Sequence, residues 1–396
     1  MRICYIVYRE DNVMVFDSQV LEYLKKMRSK VERIELIVFR HQKNLFRKSE
    51  LESKILNYVD ECTTYMSAPV LSTFQLKFNA LRLKLHIQRK YSMGDVAVIC
   101  RGDLAGYVGT FAFRGLMNAR VLLDNRGLPI EESIMSYGDR WLHKRNRRAK
   151  AYAMSYAKDH CDAYNFVTTR LREHDIATYG YRESIPYTII PTLFKNEYVD
   201  DSEIERIRKA EKGTSDDFTV TYIGSTAAWQ ETESLPQIIS KIYEKKRNSR
   251  FFILTNGEIG DFRELPEALR QRIVVKKVPH GDVRYYLALS DVGIVIRDNN
   301  LVNRVAAPTK IAEYVTSGVQ LLYSGDIGIL SDLKTLAALE NMIDIDANPE
   351  WDTMLVGRCP LNDLSVYIDY FDMDKRQNET LQMLSSCFMK GKGISC

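Results

Sequence analysis

Eleven short runs of apolar residues recur along this chain, and a polar, helix-like stretch separates each from the next. In the first half they are "ICYIVY" (3–8), "IELIVF" (34–39), "DVAVIC" (95–100), "RVLLD" (120–124) and "AYNFVT" (163–168). In the second half they are "FTVTYI" (218–223), "FFILT" (251–255), "RIVVKK" (272–277), "DVGIVI" (291–296), "VQLLY" (319–323) and "MIDID" (342–346). A strand that is apolar on both faces must be covered on both faces, which is the situation of a parallel sheet flanked by helices. Between the two series lies "FKNEYVDDSEIERIRKAEKGTSDD" (194–217), polar and charged with no evident buried face. The expected fold is therefore α/β, with two Rossmann-like parallel-sheet domains: residues 1–193, a connection over 194–217, and residues 218–375. A helical tail over 376–396 is expected to pack back on the first domain. Ligands in such folds gather at the carboxyl ends of the strands and, here, in the cleft between domains.

A chain of 396 residues suits two domains better than one core. No apolar run approaches the ~18 residues needed to span a bilayer. "MRICYIVYREDN" has no small-residue cleavage site and reads as a first strand rather than a signal peptide. The seven cysteines are scattered, odd in number and without metal-ligand spacing. This pattern points to a reducing cytoplasm and away from structural zinc. Charge divides unevenly, with residues 1–200 carrying +9 and the remainder −5. A basic first half suits an acidic partner such as a membrane surface or a phosphorylated acceptor, or it is simply a solvated face.

The segment "RDNNLVNRVAAPTKIAEYVTSGVQLLYSGDIG" (297–328) carries the chemistry. Pro308 is a natural first helical residue and Gly318 a natural stop. Ile311, Tyr314, Val315 and Gly318 fall on one face, which should be buried. Ala307 is a poor N-cap, and Lys310 in the first turn opposes the helix dipole. A phosphate docked at this N-terminus accounts for both features, since it accepts the open amides and offsets the lysine. Glu313, one turn on, suits ribose hydroxyls. The ordinary alternative is a surface helix with a Lys310–Glu313 pair.

With these residues in place, the chain resembles the GT-B glycosyltransferases, and more narrowly their retaining "group 1" family, which uses nucleotide-sugars. The 297–328 segment is similar to that family's donor segment, in which a proline–Thr/Ser–lysine precedes a glutamate and a small-residue–glycine turn. "VTYIGSTAAWQETESL" (220–235) and "VPHGDVRYYLALSDVGIVI" (278–296) resemble its donor-domain opening and base-side segments. "LLDNRGLPIEE" (122–132) and "YTIIPTLF" (187–194) are similar to first-domain segments of some polysaccharide-building members. One departure stands out. Many relatives carry two glutamates eight apart, and the first would fall at Val305.

The resemblance implies that the donor pyrophosphate lies against the amides of Thr309 and Lys310 and the Lys310 ammonium, with Gly224 and Ser225 leaving room for it. Arg297, ending a strand, would clamp phosphate bidentately. Glu313 would take the ribose, and Val278 in the Val278–His280 loop would meet the base. Lys310 and Arg297 would also stabilise the leaving phosphate, so no metal is expected; the strings Asp344-Ile345-Asp346 and Asp372-Met373-Asp374 are read as chance. In the first domain, Asp124 and Arg126 of "DNRG" are the acceptor-side candidates, with Arg101, Gly102 and Asp103 second to them. Asp–Arg pairing that fixes loops is an equally good reading of both sets.

Two basic stretches, "STFQLKFNALRLKLHIQRKYS" (72–92) and "WLHKRNRRAKAYAMSYAK" (141–158), mix aromatics and leucines with cations. Interfacial helices look like this, as do helices lying on a Rossmann sheet. No motif supports nucleic-acid binding. The expected function is a cytoplasmic glycosyltransferase, peripheral to the membrane if the basic stretches dock there. It would move sugar from a nucleotide-diphosphate sugar of UDP or GDP type, its co-substrate in place of a cofactor, to a glycan or lipid-linked acceptor. Retention of configuration follows from the resemblance. The setting would be bacterial capsule, O-antigen or exopolysaccharide assembly. The alternative is an inactive nucleotide-binding or regulatory subunit of the same fold.

Overall fold

The computed structural model describes all residues except 11–12, 42–47, 68–70, 92–93, 139, 194–198, 212–213, 215, 225–231, 258–260, 337–340, 361–363 and 392–396. The chain forms two compact units, residues 1–191 with 373–396, and residues 192–372.

The first unit holds a seven-stranded sheet. Its strands are β1 (Arg2–Tyr8), β2 (Arg33–His41), β3 (Glu61–Ser67), β4 (Val96–Arg101), β5 (Ala119–Asn125), β6 (Ala163–Phe166) and β7 (Tyr187–Ile189). They pair in parallel in the order β3-β2-β1-β4-β5-β6-β7. The five apolar runs of the first half are its inner strands. The two edges went unread for a physical reason. β3, "ECTTYMS", is half-exposed over most of its length, and β7 has only three residues, so neither needs the apolar run that marks a buried strand.

The second unit holds a six-stranded parallel sheet. Its strands are β8 (Phe218–Gly224), β9 (Ser249–Thr255), β10 (Ile273–Lys276), β11 (Val292–Ile296), β12 (Gln320–Ser324) and β13 (Met342–Asp344). The order is β10-β9-β8-β11-β12-β13. Alternate residues feed two cores. Val292, Ile294 and Ile296 join one, with Val220, Tyr222, Phe251 and Leu322. Val295 joins the other, with Phe252, Leu321, Tyr323 and the helix Thr309–Thr316.

Two expectations need correction. The 194–217 stretch is not a featureless connection: Asp201–Ala210 is a helix, started by the Asp200 carboxylate on the Ser202 N–H, and its Ile207 enters the second core. Asp217, at its far end, pairs with Arg250 and Arg272, both at 2.9 Å. Ile204 and Ile207, three apart within "EIERIRK", are the apolar face that the charge density hid. The C-terminal helix, Met373–Gly391, begins before residue 376 and belongs wholly to the first unit. Leu384, Cys387 and Phe388 enter the first core, Gln377 donates to the Tyr23 carbonyl at 2.6 Å, and Asp374 pairs with Lys26 and Lys30. Among the described residues no helix is long and apolar enough to cross a membrane.

The Thr309–Thr316 helix packs on its sheet through Ile311, Ala312, Tyr314 and Val315, and Tyr314 adds hydrogen bonds. The Tyr314 ring lies over Gly293 of β11, where a Cβ would fall 2.4 Å from it. The Tyr314 hydroxyl donates to the Thr221 carbonyl at 3.1 Å and accepts from the Ile223 N–H at 3.0 Å. It therefore bonds the β8 backbone on either side of Tyr222, the last β8 residue paired with β11. Tyr314→Phe keeps the ring and removes two buried hydrogen bonds, so urea unfolding should show a loss of about 1–3 kcal/mol.

Candidate functional site

The sheet of the second unit reverses its winding between β8 and β11, since the chain leaves β8 towards β9 and β10 and β11 towards β12 and β13. Such a reversal opens a crevice outside the carboxyl ends of the two central strands. β8 ends there on Gly224, and Arg297 follows the end of β11.

The helix expected to open at Pro308 begins at Thr309; Pro308 takes the capping position instead, at φ −63° and ψ 130°. No side chain caps it, and Pro308 has no N–H to offer. Ile311, Tyr314 and Val315 are fully buried, as the spacing requires, and Gly318 follows the helix at φ +72°. Glu313 is buried as well, at 5% exposure, which the sequence did not suggest.

Arg297 is 8% exposed. One guanidinium nitrogen donates to Asn303 Oδ1 at 3.1 Å, and Nε has no partner among the described residues. Among the described residues no carboxylate stands within ion-pair distance of it, Asp298 included. Asn303 is itself held, its amide donating to the Asp298 carbonyl at 2.9 Å and its backbone N–H to Asn300 Oδ1 at 3.0 Å. The guanidinium is thus oriented but not neutralised. Burial pushes it down to about 10.

Lys310 is half-buried, and its ammonium lies 5.5 Å from the centre of the Tyr222 ring. Burial first, and then the Arg297 charge, push it down to about 7, while Glu313 pulls the other way. Tyr222 links the cluster to Gly224, because a Cβ on Gly224 would fall 2.1 Å from its ring. The absence of a side chain at Gly224 is therefore a packing requirement, met by a residue that the sequence did not single out. Ser225 lies outside the described residues. Val278 does not join this cluster and lines a separate cavity of about 350 Å³ with Arg206, Lys276, Tyr285 and Tyr286. Val305 is buried at 3% exposure, so no carboxylate stands at the first-glutamate position. Asp344 and Asp346 accept backbone N–H groups, from Asp346 and Ala347 and from Gly325, as turn-forming carboxylates do.

The sheet of the first unit reverses between β1 and β4, and a cavity of about 610 Å³ lies there. Arg101, Gly102, Asp103, Arg126 and Gly127, all flagged in the sequence, line it. Asp124 is not among the lining residues. Its carboxylate accepts from Asn165 Nδ2 at 2.5 Å and lies 3.5 Å from Arg126 and 3.8 Å from Arg101, so it holds the two arginines in place. Arg126 also donates to the Ile190 carbonyl at 3.3 Å.

Several lining residues went unread in the sequence: Arg9, Glu132, His143 and Lys150. Arg9 holds φ +59°, an unusual value for a side-chain-bearing residue, and so marks a constrained exit from β1. Only the strand order places that exit beside β4. Asp103 is 5% exposed, its Oδ1 has no hydrogen-bond partner among the described residues, and burial pushes its carboxyl up to about 7.

A depressed lysine has a stability consequence of definite sign. Between about pH 7 and the ordinary lysine range near pH 10.4, the unfolded chain binds the Lys310 proton more tightly than the folded one. The folded state therefore gains stability as pH rises through that window, and carries its full penalty below it. Lys310→Met should raise the melting temperature most at or below pH 7, and the advantage should shrink towards pH 10.

No protein-family profile and no curated protein matches the sequence. Solved structures do. A glycosyltransferase from Rickettsia africae superposes with a TM-score of 0.65 over 98% of each chain, at 12% identity. HepE from Anabaena, solved in complex with UDP, gives 0.61 over 98% of this chain and 100% of its own, at 14% identity. Sucrose-phosphate synthase from Thermosynechococcus elongatus gives 0.60 over 98% and 100%, at 12% identity. Over essentially its full length, this chain has the fold of the GT-B glycosyltransferases.

Proposed function

We propose that this chain is a glycosyltransferase of the retaining, metal-independent kind. It moves a sugar from a nucleoside-diphosphate sugar of UDP or GDP type to a glycan or lipid-linked acceptor. The observation that carries the reading is the pair of withdrawn cations at the switch point of the second sheet. Among the described residues Arg297 is buried with no carboxylate beside it, Lys310 is depressed nearby, and both stand at the uncapped start of a helix. A diphosphate supplies the missing negative charge and accepts the open amides. HepE has been solved with UDP and with UDP-glucose, which supports the same class of donor here.

In this reading the amides of Thr309 and Lys310 receive the diphosphate, Gly224 and Ser225 leave space for it, and Glu313 takes the ribose. As the bond between the anomeric carbon and the diphosphate oxygen breaks, the electron pair leaves with the phosphate. Arg297 and Lys310 face the charge that develops. The acceptor oxygen bonds to the anomeric carbon and passes its proton to the departing diphosphate oxygen. Asp124 serves through Arg101 and Arg126, which it holds at the first-unit cavity, where the acceptor is positioned.

The setting proposed is bacterial surface polysaccharide synthesis, in the cytoplasm at the inner face of the membrane. WaaG, whose structure superposes at a TM-score of 0.52 and 10% identity, is described as a glycosyltransferase of lipopolysaccharide biosynthesis. Val305 favours a second reading, a subunit that holds nucleotide without turnover, because it puts a buried methyl-bearing side chain where many similar enzymes have a glutamate.

A thermal-shift panel of UDP, GDP, CDP, TDP and ADP, with Glu313→Ala alongside, tests the donor site. A bound nucleotide at about a hundredfold over its Kd stabilises the fold by about 2.7 kcal/mol. One nucleotide should raise the melting temperature by several degrees, and less so in the variant. No response to any of them rejects the site, and binding without sugar transfer to any acceptor selects the second reading.

A further inference from the structure

The helix Thr73–Lys90 has two apolar faces, and only one of them is used. Leu76, Ala80, Leu83 and Ile87 are fully buried. On the opposite side Phe74, Phe78, Leu81 and Leu85 are exposed by 80%, 52%, 50% and 54%. Their spacing of four, three and four residues sets them in one straight stripe, about 16 Å long at the helical rise. A surface helix normally turns polar residues to water on that side.

Cations border the stripe. Lys77 and Lys84 lie on one flank and Arg82 on the other, each against an aromatic ring, and Arg82 also lies over the Phe78 ring of the stripe at 5.7 Å. Lys77 lies over Tyr152 at 5.5 Å, Lys84 over Phe111 at 5.7 Å, and Arg82 over Tyr65 at 5.1 Å. Tyr152 belongs to the helix Trp141–His160, so the Lys77 contact joins the outer sides of two neighbouring helices. The second helix starts with Trp141 and Leu142, exposed by 69% and 49%, and continues outward with Lys144, Arg145 and Arg148. Neither stretch 73–90 nor stretch 141–158 contains a single aspartate or glutamate.

We infer that these two helices form a docking face for an anionic lipid bilayer. Phe74, Phe78, Leu81, Leu85 and Trp141 would seat at the boundary between headgroups and acyl chains, and the flanking cations would lie among the headgroup phosphates. Apolar side chains of this size, ringed by cations, match a surface that is negative outside and apolar beneath. A second copy of the chain would bring like charges together, which disfavours self-association. The inference rests on the proposed function only in explaining why the surface exists, since a lipid-linked acceptor would hold the enzyme's work at a membrane. The surface itself is independent of the donor site.

The test is co-sedimentation of the full chain with vesicles of phosphatidylglycerol and phosphatidylethanolamine, against phosphatidylcholine alone, at low and high salt. Partition should be at least about tenfold stronger to the anionic vesicles and should fall with salt. The double variants Phe78→Ser/Leu81→Ser and Lys77→Glu/Lys84→Glu should each lose about tenfold or more. Both should keep the wild-type melting temperature and nucleotide response. Equal partition to the two vesicle types, partition unchanged in both variants, or a wild-type dimer that the Phe78→Ser/Leu81→Ser variant dissolves would overturn the inference. Loss of vesicle binding with an intact nucleotide response concerns this face alone, and the converse concerns the donor site alone.

Discussion

Withdrawing an arginine from water with no carboxylate beside it among the described residues is the constraint around which the second unit is arranged. A buried charge of this kind costs several kcal/mol unless other groups compensate for it. Arg297 donates one hydrogen bond, to a held asparagine, and its remaining positive charge bears on Lys310 nearby. Structures retain such an arrangement when something outside the chain completes it. The helix start supplies the other half, with open amides and a dipole of the same sign. Charge, amides and dipole all ask for an anion at one place.

Rigid packing keeps that place fixed. Tyr314 ties the helix to β8 by two hydrogen bonds to its backbone, and Gly293 admits its ring. Tyr222 fills the space that a side chain at Gly224 would need and lies beneath the Lys310 ammonium. Two tyrosines and two glycines thus convert a general property of parallel sheets, the crevice where winding reverses, into a particular shape. The first unit follows the same logic with other residues. Asp124 is spent on holding Arg101 and Arg126, while Asp103 remains protonatable near neutrality on the cavity wall.

Much of this was legible in the chain. Every inner strand of both sheets announced itself by being apolar on both faces, and the helix after Pro308 by its spacing and its lack of a cap. The edge strand β3 was not legible, because an edge can stay wet and so carries no apolar demand. Ile207 was missed because charged neighbours on either side diluted a one-sided face. In the site, Arg297, Lys310 and Glu313 could be named because they stand within one continuous segment. Tyr222 and Arg9 could not, since their importance comes from strands that are adjacent in space and distant in sequence. Glu313 was read as available to a ligand, and its near-complete burial was not legible, because it depends on packing from outside its own segment.

The account's central claim is that Lys310 is held in a depressed state that a diphosphate relieves. The direct measurement is the Lys310 pKa, followed by NMR of the side-chain carbon next to its nitrogen, in the free protein and with the nucleotide that binds. The account predicts a value near 7 in the free protein, rising towards the ordinary lysine range once the diphosphate is bound. An ordinary value in the free protein, or a value that the nucleotide leaves unchanged, would contradict it.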